Sequence, residues 1–442
     1  MGKRILIITT YYPPDTAIAA VRPYMLAKYL TRLGHKVTVL RSGEINAKAD
    51  RVYLDDKTEV TVYSYLGEES LAERFERGET IKYAEGKSRI SFLPSAPRRV
   101  IAKIYHKVFA FTDFKNRLER AQSKFEKQKD FLNRLKAQGK EFDVVFATYG
   151  ELENVYAGKY ASELFGCKYI LDLRDPIAQR EFYKKSLYKK LARIQREAVL
   201  NADICTCVSE GLATELRKSV PEKEIITLYN GFEPIENDNL GIIPADGTLS
   251  FCYTGQLYSG KRDVSPMFNA LSELQREQRI NLDNVIFSYA GNGFDELKQQ
   301  AERYGVEMIL RNCGYLGRDE IQKLQAGSDI FTVLSWNTKK AHGVLTGKFY
   351  EGIRCGRPIL TIISGNEANS ELKNMNEKYH YGFCYEEANK GTDFEELKSW
   401  LFEAYQAKMS GESLNSKATL DFSTEFRYDQ LAKKLDEIIS NL

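Results

Sequence analysis

The chain has 442 residues, 43% of them hydrophobic and 28% charged, with a formal net charge of +3. That is a globular rather than a disordered composition, and its length suits two domains of about 200 residues better than one core. A charge so close to zero excludes a chain that binds nucleic acid by bulk electrostatics.

Short apolar runs alternate with helical patterns from end to end. In the first half the strand candidates are Arg4–Thr10, Lys36–Leu40, Val60–Tyr65, Asp143–Tyr149, Tyr169–Arg174, Ala202–Ser209 and Ile225–Asn230. In the second half they are Ser250–Gly255, Val285–Gly291, Met308–Tyr315, Asp329–Trp336, Pro358–Ile363 and Gly382–Tyr385. Runs such as ILIITT, DVVFATY and DIFTVL are apolar on both faces, the pattern of parallel strands covered by helices on each side. The predicted fold is therefore α/β, with two doubly wound parallel sheets. The stretch EPIENDNLGIIPADGT, rich in turn residues, places the boundary at 233–248. The expected domains are 1–235 and 236–415, with a helix in 416–442 packing back toward the first.

One segment departs from the average. Residues 82–140 carry 16 Lys or Arg against five Asp or Glu, a local charge of +11 that leaves −8 for the rest. Within it, Val100, Ile101, Ile104, Tyr105, Val108, Phe109 and Phe111 share one helical face and Arg99, Lys103 and Lys107 another. A basic amphipathic helix of this kind fits an anionic membrane interface, or a helix docked on its own domain with its charges in water. Residues 116–140 read as an ordinary exposed helix. No run of 18 apolar residues occurs, and the apolar run near the start is shorter than a secretory leader requires. The seven Cys lack a CxxC pair and lie mostly in apolar runs, which suits reduced thiols in a cytoplasmic protein.

Several signatures of other chemistries are missing: GxGxxG after the first strand, GxxxxGK[ST], DxD and a nucleophile elbow. His35, His106, His342 and His380 show no metal-ligand spacing, and no metal is expected. Candidate chemistry then falls to loops at the carboxyl ends of strands, where open parallel sheets bind ligands. Lys261 and Arg262, in GQLYSGKRD, would sit beside a phosphate, or simply in a solvated loop. Gly291, Asn292 and Gly293 form a turn whose backbone could approach a base or ribose. Thr346 reads as the N-cap of a helix starting at Gly347, with free N–H groups and a positive dipole end for an anion. Lys348 would add charge there, and Glu351, one turn on, could accept from the two hydroxyls of a ribose. A plain ion pair of Glu351 with Lys348 or Arg354 is the competing reading. In the first half, Asp172, Arg174 and Asp175 lie at the end of a strand.

Taken together, YYPP, Arg22, GHKVTVL, LDLRDP, CVSEGL, LYNGF, YTGQLYSGKRD, GNG, GYLGRDEIQKLQAGSDI and TGKFYEGIRCGRPIL occur in an order that resembles glycosyltransferase family 4, most closely its capsule and O-antigen branch. The resemblance spans nearly the whole chain. It implies a GT-B fold, two Rossmann-like domains facing a cleft, and a retaining, metal-independent enzyme using a nucleotide-diphosphate sugar. The donor nucleotide would lie on the second domain. The acceptor, a saccharide carried on a lipid in that branch, would lie on the first, near Arg22 and Arg174, where Asp172, Arg174 and Asp175 would bind or deprotonate it, or else form a structural Asp–Arg network. The second Glu of the family's paired-glutamate motif matches Glu351. The first falls at Gly343, so His342 or backbone would contact the donor sugar. The family's phosphate-binding Lys matches Lys261, while its Arg position reads Gln256, for which Arg262 would substitute. Such an enzyme would work at the inner face of the cytoplasmic membrane. A nucleotide-sugar 2-epimerase and a non-catalytic sugar-nucleotide-binding subunit are the alternative readings.

Overall fold

The structure is a computed structural model. It describes residues 2–13, 15, 18–42, 60–66, 95–181, 183–233, 247–258, 260–341, 344–412, 414 and 424–442, with backbone alone over 95–114 and at 318. The chain divides into two compact units. One comprises Met1–Cys207, Leu216–Ile226 and Leu435–Leu442, the other Val208–Glu215 and Thr227–Lys434.

The first unit holds a seven-stranded sheet of β1 (Arg4–Thr9), β2 (Lys36–Arg41), β3 (Thr61–Ser64), β4 (Val144–Tyr149), β5 (Lys168–Leu173), β6 (Ile204–Cys207) and β7 (Ile225–Thr227), in the order β3-β2-β1-β4-β5-β6-β7. Its helices are α1 (Val21–Arg32), α2 (Ser95–Ala137), α3 (Leu152–Phe165) and α4 (Lys185–Asn201). β1 lies between β2 and β4, parallel to both, so the strand order reverses beside it. The side chain of His35 tethers the C-terminal segment to this unit: Lys3 N donates to its Nδ1 at 3.1 Å, and its Nε2 meets Asp436 at 2.9 Å. Two helices, α5 (Glu210–Ser219) and α12 (Tyr428–Ser440), carry residues of both units.

The second unit holds β8 (Leu249–Thr254), β9 (Val285–Ala290), β10 (Leu310–Gly314), β11 (Ile330–Trp336), β12 (Ile359–Ser364) and β13 (Gly382–Glu386), in the order β10-β9-β8-β11-β12-β13. All neighbouring pairs are parallel. The helices are α6 (Ser265–Arg276), α7 (Phe294–Glu302), α8 (Arg318–Ala326), α9 (Gly347–Cys355), α10 (Glu371–Tyr379) and α11 (Lys390–Met409). Strand periodicity divides the core in two. Leu249, Phe251 and Tyr253 of β8 join Ile330 and Leu334 of β11 against α6, α7 and α11. Cys252, Phe331, Val333, Ile359 and Ile363 face the other way, against α9 and α10. Every strand expected from the apolar runs is present, with ends within a few residues.

The charged segment differs from its expectation. Residues 95–137 form one continuous helix, and Ala121, Gln128, Leu132 and Leu135 on it are buried, so 116–140 is not an exposed helix. Among these residues the buried positions fall at intervals of three, four and seven, one stripe among many charges. Gln128 donates to Asn154 Oδ1 on α3 at 3.0 Å, and Asn154 in turn donates to Thr10 Oγ1 at 2.9 Å. The proposed membrane-facing side chains of 99–111, like the boundary stretch 234–246, lie outside the described residues. Among the described residues no helix is long and apolar enough to cross a membrane.

Candidate active site

The strand order of the second unit reverses between β8 and β11, and ligands of open parallel sheets bind outside such a reversal. Three segments meet there: the loop after β8, the loop after β9 and the start of α9. The first two touch backbone to backbone. Gly255 has φ +142° and Gly291 φ +158°, and a Cβ on Gly291 would fall 2.3 Å from the Gly255 carbonyl. Tyr289 fixes the contact, donating to Gly255 O at 2.8 Å and accepting from Gly293 N at 2.9 Å. Asn292, between the two glycines, is exposed.

The helix α9 is defined at both ends by its sequence. Thr346 has the extended backbone of an N-cap (φ −80°, ψ 151°), and Gly356 takes the left-handed conformation (φ 63°) that ends a helix, with Pro358 just beyond. Thr346 does not cap with its side chain, as the sequence suggested; Oγ1 is buried and unpaired. The N–H groups of Gly347 and Lys348 belong to the first turn, which has no intrahelical acceptors for them. Phe349, Tyr350 and Ile353 bury one face, and Gly352 lets the helix approach Phe331 and Ile359 closely. Phe426, fully buried, supports this face with ring centroids 5.6 Å from Tyr350 and 6.2 Å from Phe349. It is seated by a short pairing in which Phe232 N donates to Phe426 O at 3.0 Å.

The opposite face carries Lys348 and Glu351. Lys348 Nζ donates to both carboxylate oxygens of Glu351, at 3.0 and 2.9 Å. This is the ion pair that competed with the ribose reading, although both side chains stay partly accessible, at 24% and 19%. A residue the sequence did not single out completes the arrangement. Gln325, fully buried at the end of α8, donates through Nε2 to Glu351 Oε2 at 2.6 Å and to Thr254 Oγ1 at 3.0 Å. Arg354 Nη2 donates to Gln325 Oε1 at 3.4 Å. The Lys348 stem lies against Gly255, with Cε 3.6 Å from where a Cβ would be.

Lys261 and Arg262 have different roles. Arg262 is buried, and Nη1 donates to Tyr253 Oη and Gln256 O, both at 3.0 Å. Its guanidinium lies 4.5 Å from the Tyr258 ring centroid. It therefore folds the loop from inside, which corrects its assignment beside a phosphate. Burial pushes the Tyr253 hydroxyl up to about 12, with Arg262 pulling the other way, so this phenol stays a neutral donor to Gln256 O. Lys261 is half-buried with Nζ 5.4 Å from the Trp336 ring centroid. Gln256 is exposed and takes part through its carbonyl. His342 and Gly343 lie outside the described residues.

In the first unit the reversal beside β1 gathers Thr10 and Tyr11, Gly150 and Arg174. A Cβ on Gly150 would lie 3.4 Å from Thr10 Oγ1 and Tyr11 Cε2 and 3.6 Å from Arg174 Nη2. Arg174 is held by Ala19 O at 3.0 Å. Burial, then the Glu151 carboxylate, push the Tyr11 phenol up. Asp175 is exposed beside this group. Asp172 and Arg22 are not part of it. Arg22 Nη2 meets Asp172 Oδ1 at 2.8 Å and Nε meets Oδ2 at 3.1 Å, with side chains 3% and 0% exposed. Thr206 Oγ1 donates to the same carboxylate at 2.8 Å. A carboxylate so enclosed is a structural partner, so neither the catalytic role expected of Asp172 nor the acceptor role of Arg22 fits.

No family model matches the chain, and no curated protein matches it in sequence. Among solved structures it resembles a sucrose-phosphate synthase from Thermosynechococcus elongatus (TM-score 0.57, 10% identity, 99% of each chain covered). It also resembles the catalytic domain of starch synthase IV from Arabidopsis thaliana bound to ADP and acarbose (0.55, 13%, 100% of this chain and 99% of that one). A third is the lipopolysaccharide outer core galactosyltransferase WaaB (0.54, 12%, 99% and 100%). Likeness at this identity establishes the fold: two parallel-sheet Rossmann-like domains of the GT-B type.

Proposed function

We propose that the chain is a retaining glycosyltransferase of family 4 that moves a sugar from a nucleotide-diphosphate sugar to a saccharide acceptor in surface polysaccharide synthesis. The observation that carries this reading is Glu351, a carboxylate held one turn into α9 beside the strand-order reversal of the second sheet. A diphosphate at the start of α9 receives the N–H groups of Gly347 and Lys348 and the dipole of the helix, and the attached ribose brings two hydroxyls to Glu351. The resembling starch synthase domain is bound to ADP, and that supports a nucleotide donor here.

In the proposed reaction the donor phosphate oxygen takes the acceptor's proton while the sugar moves on the same face. The protein then has to align the reactants and neutralise the leaving diphosphate. Lys348, Lys261 and the start of α9 are the groups assigned to that charge, without a metal; transfer should therefore survive chelation by EDTA. The acceptor is assigned to Tyr11, Gly150, Arg174 and Asp175. For a lipid-linked acceptor the support is electrostatic. Lys184 and Lys185 at the start of α4, and Lys189 and Arg193 further along it, are exposed, with no ion-pair partner among the described residues. Cations at the positive end of a helix dipole oppose its stability, and an anionic membrane surface would offset that. Binding to anionic liposomes should fall when these four are changed to Gln; equal flotation would remove this support.

The central test is thermal stabilisation by UDP, GDP, ADP, CDP and dTDP, with Glu351→Ala in parallel. A ligand at about 100 times its dissociation constant adds about 2.7 kcal/mol. One nucleotide should stabilise the wild type. The variant should bind it about 10- to 100-fold more weakly, as expected for losing charge-assisted hydrogen bonds. Undiminished affinity in Glu351→Ala would refute the assignment.

A further inference from the structure

Glu351 is held by two donors of different kinds. The Gln325 amide is fully buried and pinned at both ends, with Nε2 shared between Glu351 and Thr254 and Oε1 taken by Arg354. It cannot turn without breaking bonds to β8 and α9 together. Lys348 is its opposite. It reaches Glu351 on a flexible stem, is 24% exposed, and Glu351 is its ion-pair partner. It is also the second residue of α9, where a cation faces the positive end of the dipole. The ammonium is kept there by the Glu351 carboxylate. An anion at the same helix start would compete for it directly. The ribose hydroxyls, for their part, need the carboxylate oxygens that Lys348 occupies.

Resting on the donor-site reading above, we propose that Lys348 is the specificity-determining residue of this site: it engages Glu351 until a phosphate draws it away, so ribose and diphosphate are recognised only together. Gln325 keeps the carboxylate aimed while Lys348 leaves. The site then favours a ribonucleoside diphosphate over either fragment, because a nucleoside alone must displace the ammonium and a free phosphate has no ribose to fill the vacated oxygens. Coupling of this kind is reciprocal: pyrophosphate raises the affinity for nucleoside by the factor by which nucleoside raises that for pyrophosphate.

The experiment uses the full chain and ligand-observed NMR, which reads weak binding. Uridine, adenosine, guanosine and cytidine are titrated with and without saturating inorganic pyrophosphate, and the corresponding diphosphates are measured beside them. In the wild type, pyrophosphate should strengthen binding of one nucleoside about fivefold, the low end for coupled sites. In Lys348→Met that nucleoside should bind more tightly than to the wild type and no longer respond to pyrophosphate, while the diphosphate binds more weakly. Opposite signs separate this from a damaged fold, which weakens both, and from a simple phosphate ligand, which leaves the nucleoside unchanged. Either of those results, or absent coupling in the wild type, overturns the proposal. If a diphosphate binds without coupling, the donor-site reading stands and this inference alone fails; if no diphosphate binds, both fail.

Discussion

Changing Asp172 to Asn separates a structural carboxylate from a chemical one. The native carboxylate accepts from Arg22 Nη2 at 2.8 Å, Arg22 Nε at 3.1 Å and Thr206 Oγ1 at 2.8 Å, and it is fully buried. Asparagine keeps the shape but removes the charge, and its amide NH2 must point at one of these groups, two of which are cationic donors. Breaking a buried pair in this way costs about 3–5 kcal/mol, because a charge is left enclosed without its counterion. For a domain of this size each kcal/mol is about 2–4 °C, so the melting temperature should fall by about 6–20 °C in calorimetry. The double change Arg22→Met with Asp172→Leu removes both charges and should recover most of that loss. Nucleotide binding, assigned above to the second unit, should persist below the transition in all three proteins. A melting temperature unchanged in Asp172→Asn, with sugar transfer abolished, would refute the argument and return Asp172 to the reaction.

Gly352→Ala places a methyl 2.8 Å from Phe331 Cδ1 and 2.9 Å from Ile359 Cδ1. Overpacking by about 1–3 kcal/mol is offset by about 1 kcal/mol of helix propensity, so chemical denaturation should show a modest loss. Because α9 must move off the sheet, nucleotide affinity should fall more than stability does; unchanged affinity would mean that Glu351 tolerates the shift. At the start of the first sheet, hydrogen bonds from Arg4 hold the Asp143 carboxyl below its ordinary value. A depressed carboxyl contributes stability above the ordinary value and loses it as pH falls through the folded one. Urea titrations should find Asp143→Asn about 1 kcal/mol weaker than wild type near neutrality, with the gap closing in acid; a gap independent of pH would exclude the ion pair as its source.

The sheets were legible because their strands are apolar on both faces, a pattern that survives without tertiary information. Helix α2 was harder. Its buried stripe at Ala121, Gln128, Leu132 and Leu135 includes an amide and is surrounded by charge, so composition outweighed periodicity. At the candidate site, Glu351 and Lys348 could be placed because cap, helix and strand follow within a dozen residues. Gln325 could not: nothing local marks a glutamine late in a helix as the one that turns inward to Thr254 and Glu351. The Arg22–Asp172 pair is separated by 150 positions, and only the folded sheet shows that they spend their charges on each other. Arg262 was misplaced for a related reason. A basic residue in a loop reads as exposed, and only packing reveals that Tyr253, Tyr258 and the Gln256 carbonyl enclose it.

The seating of Phe426 beneath α9 bears on how the chain emerges from the ribosome. The helix with Lys348 and Glu351 is synthesised well before the residue that supports its aromatic face. Asp436, which pairs with His35 in the first unit, arrives later still. Both contacts are made by residues late in the sequence, so the packing beneath α9 and the His35 tether are completed only after most of each unit has been synthesised. In the interval Phe349 and Tyr350 wait with one side uncovered, the kind of surface that chaperones bind. A chain halted after residue 415 would therefore carry α9 on its sheet, against Phe331 and Ile359, with the Phe426 side of Phe349 and Tyr350 still open.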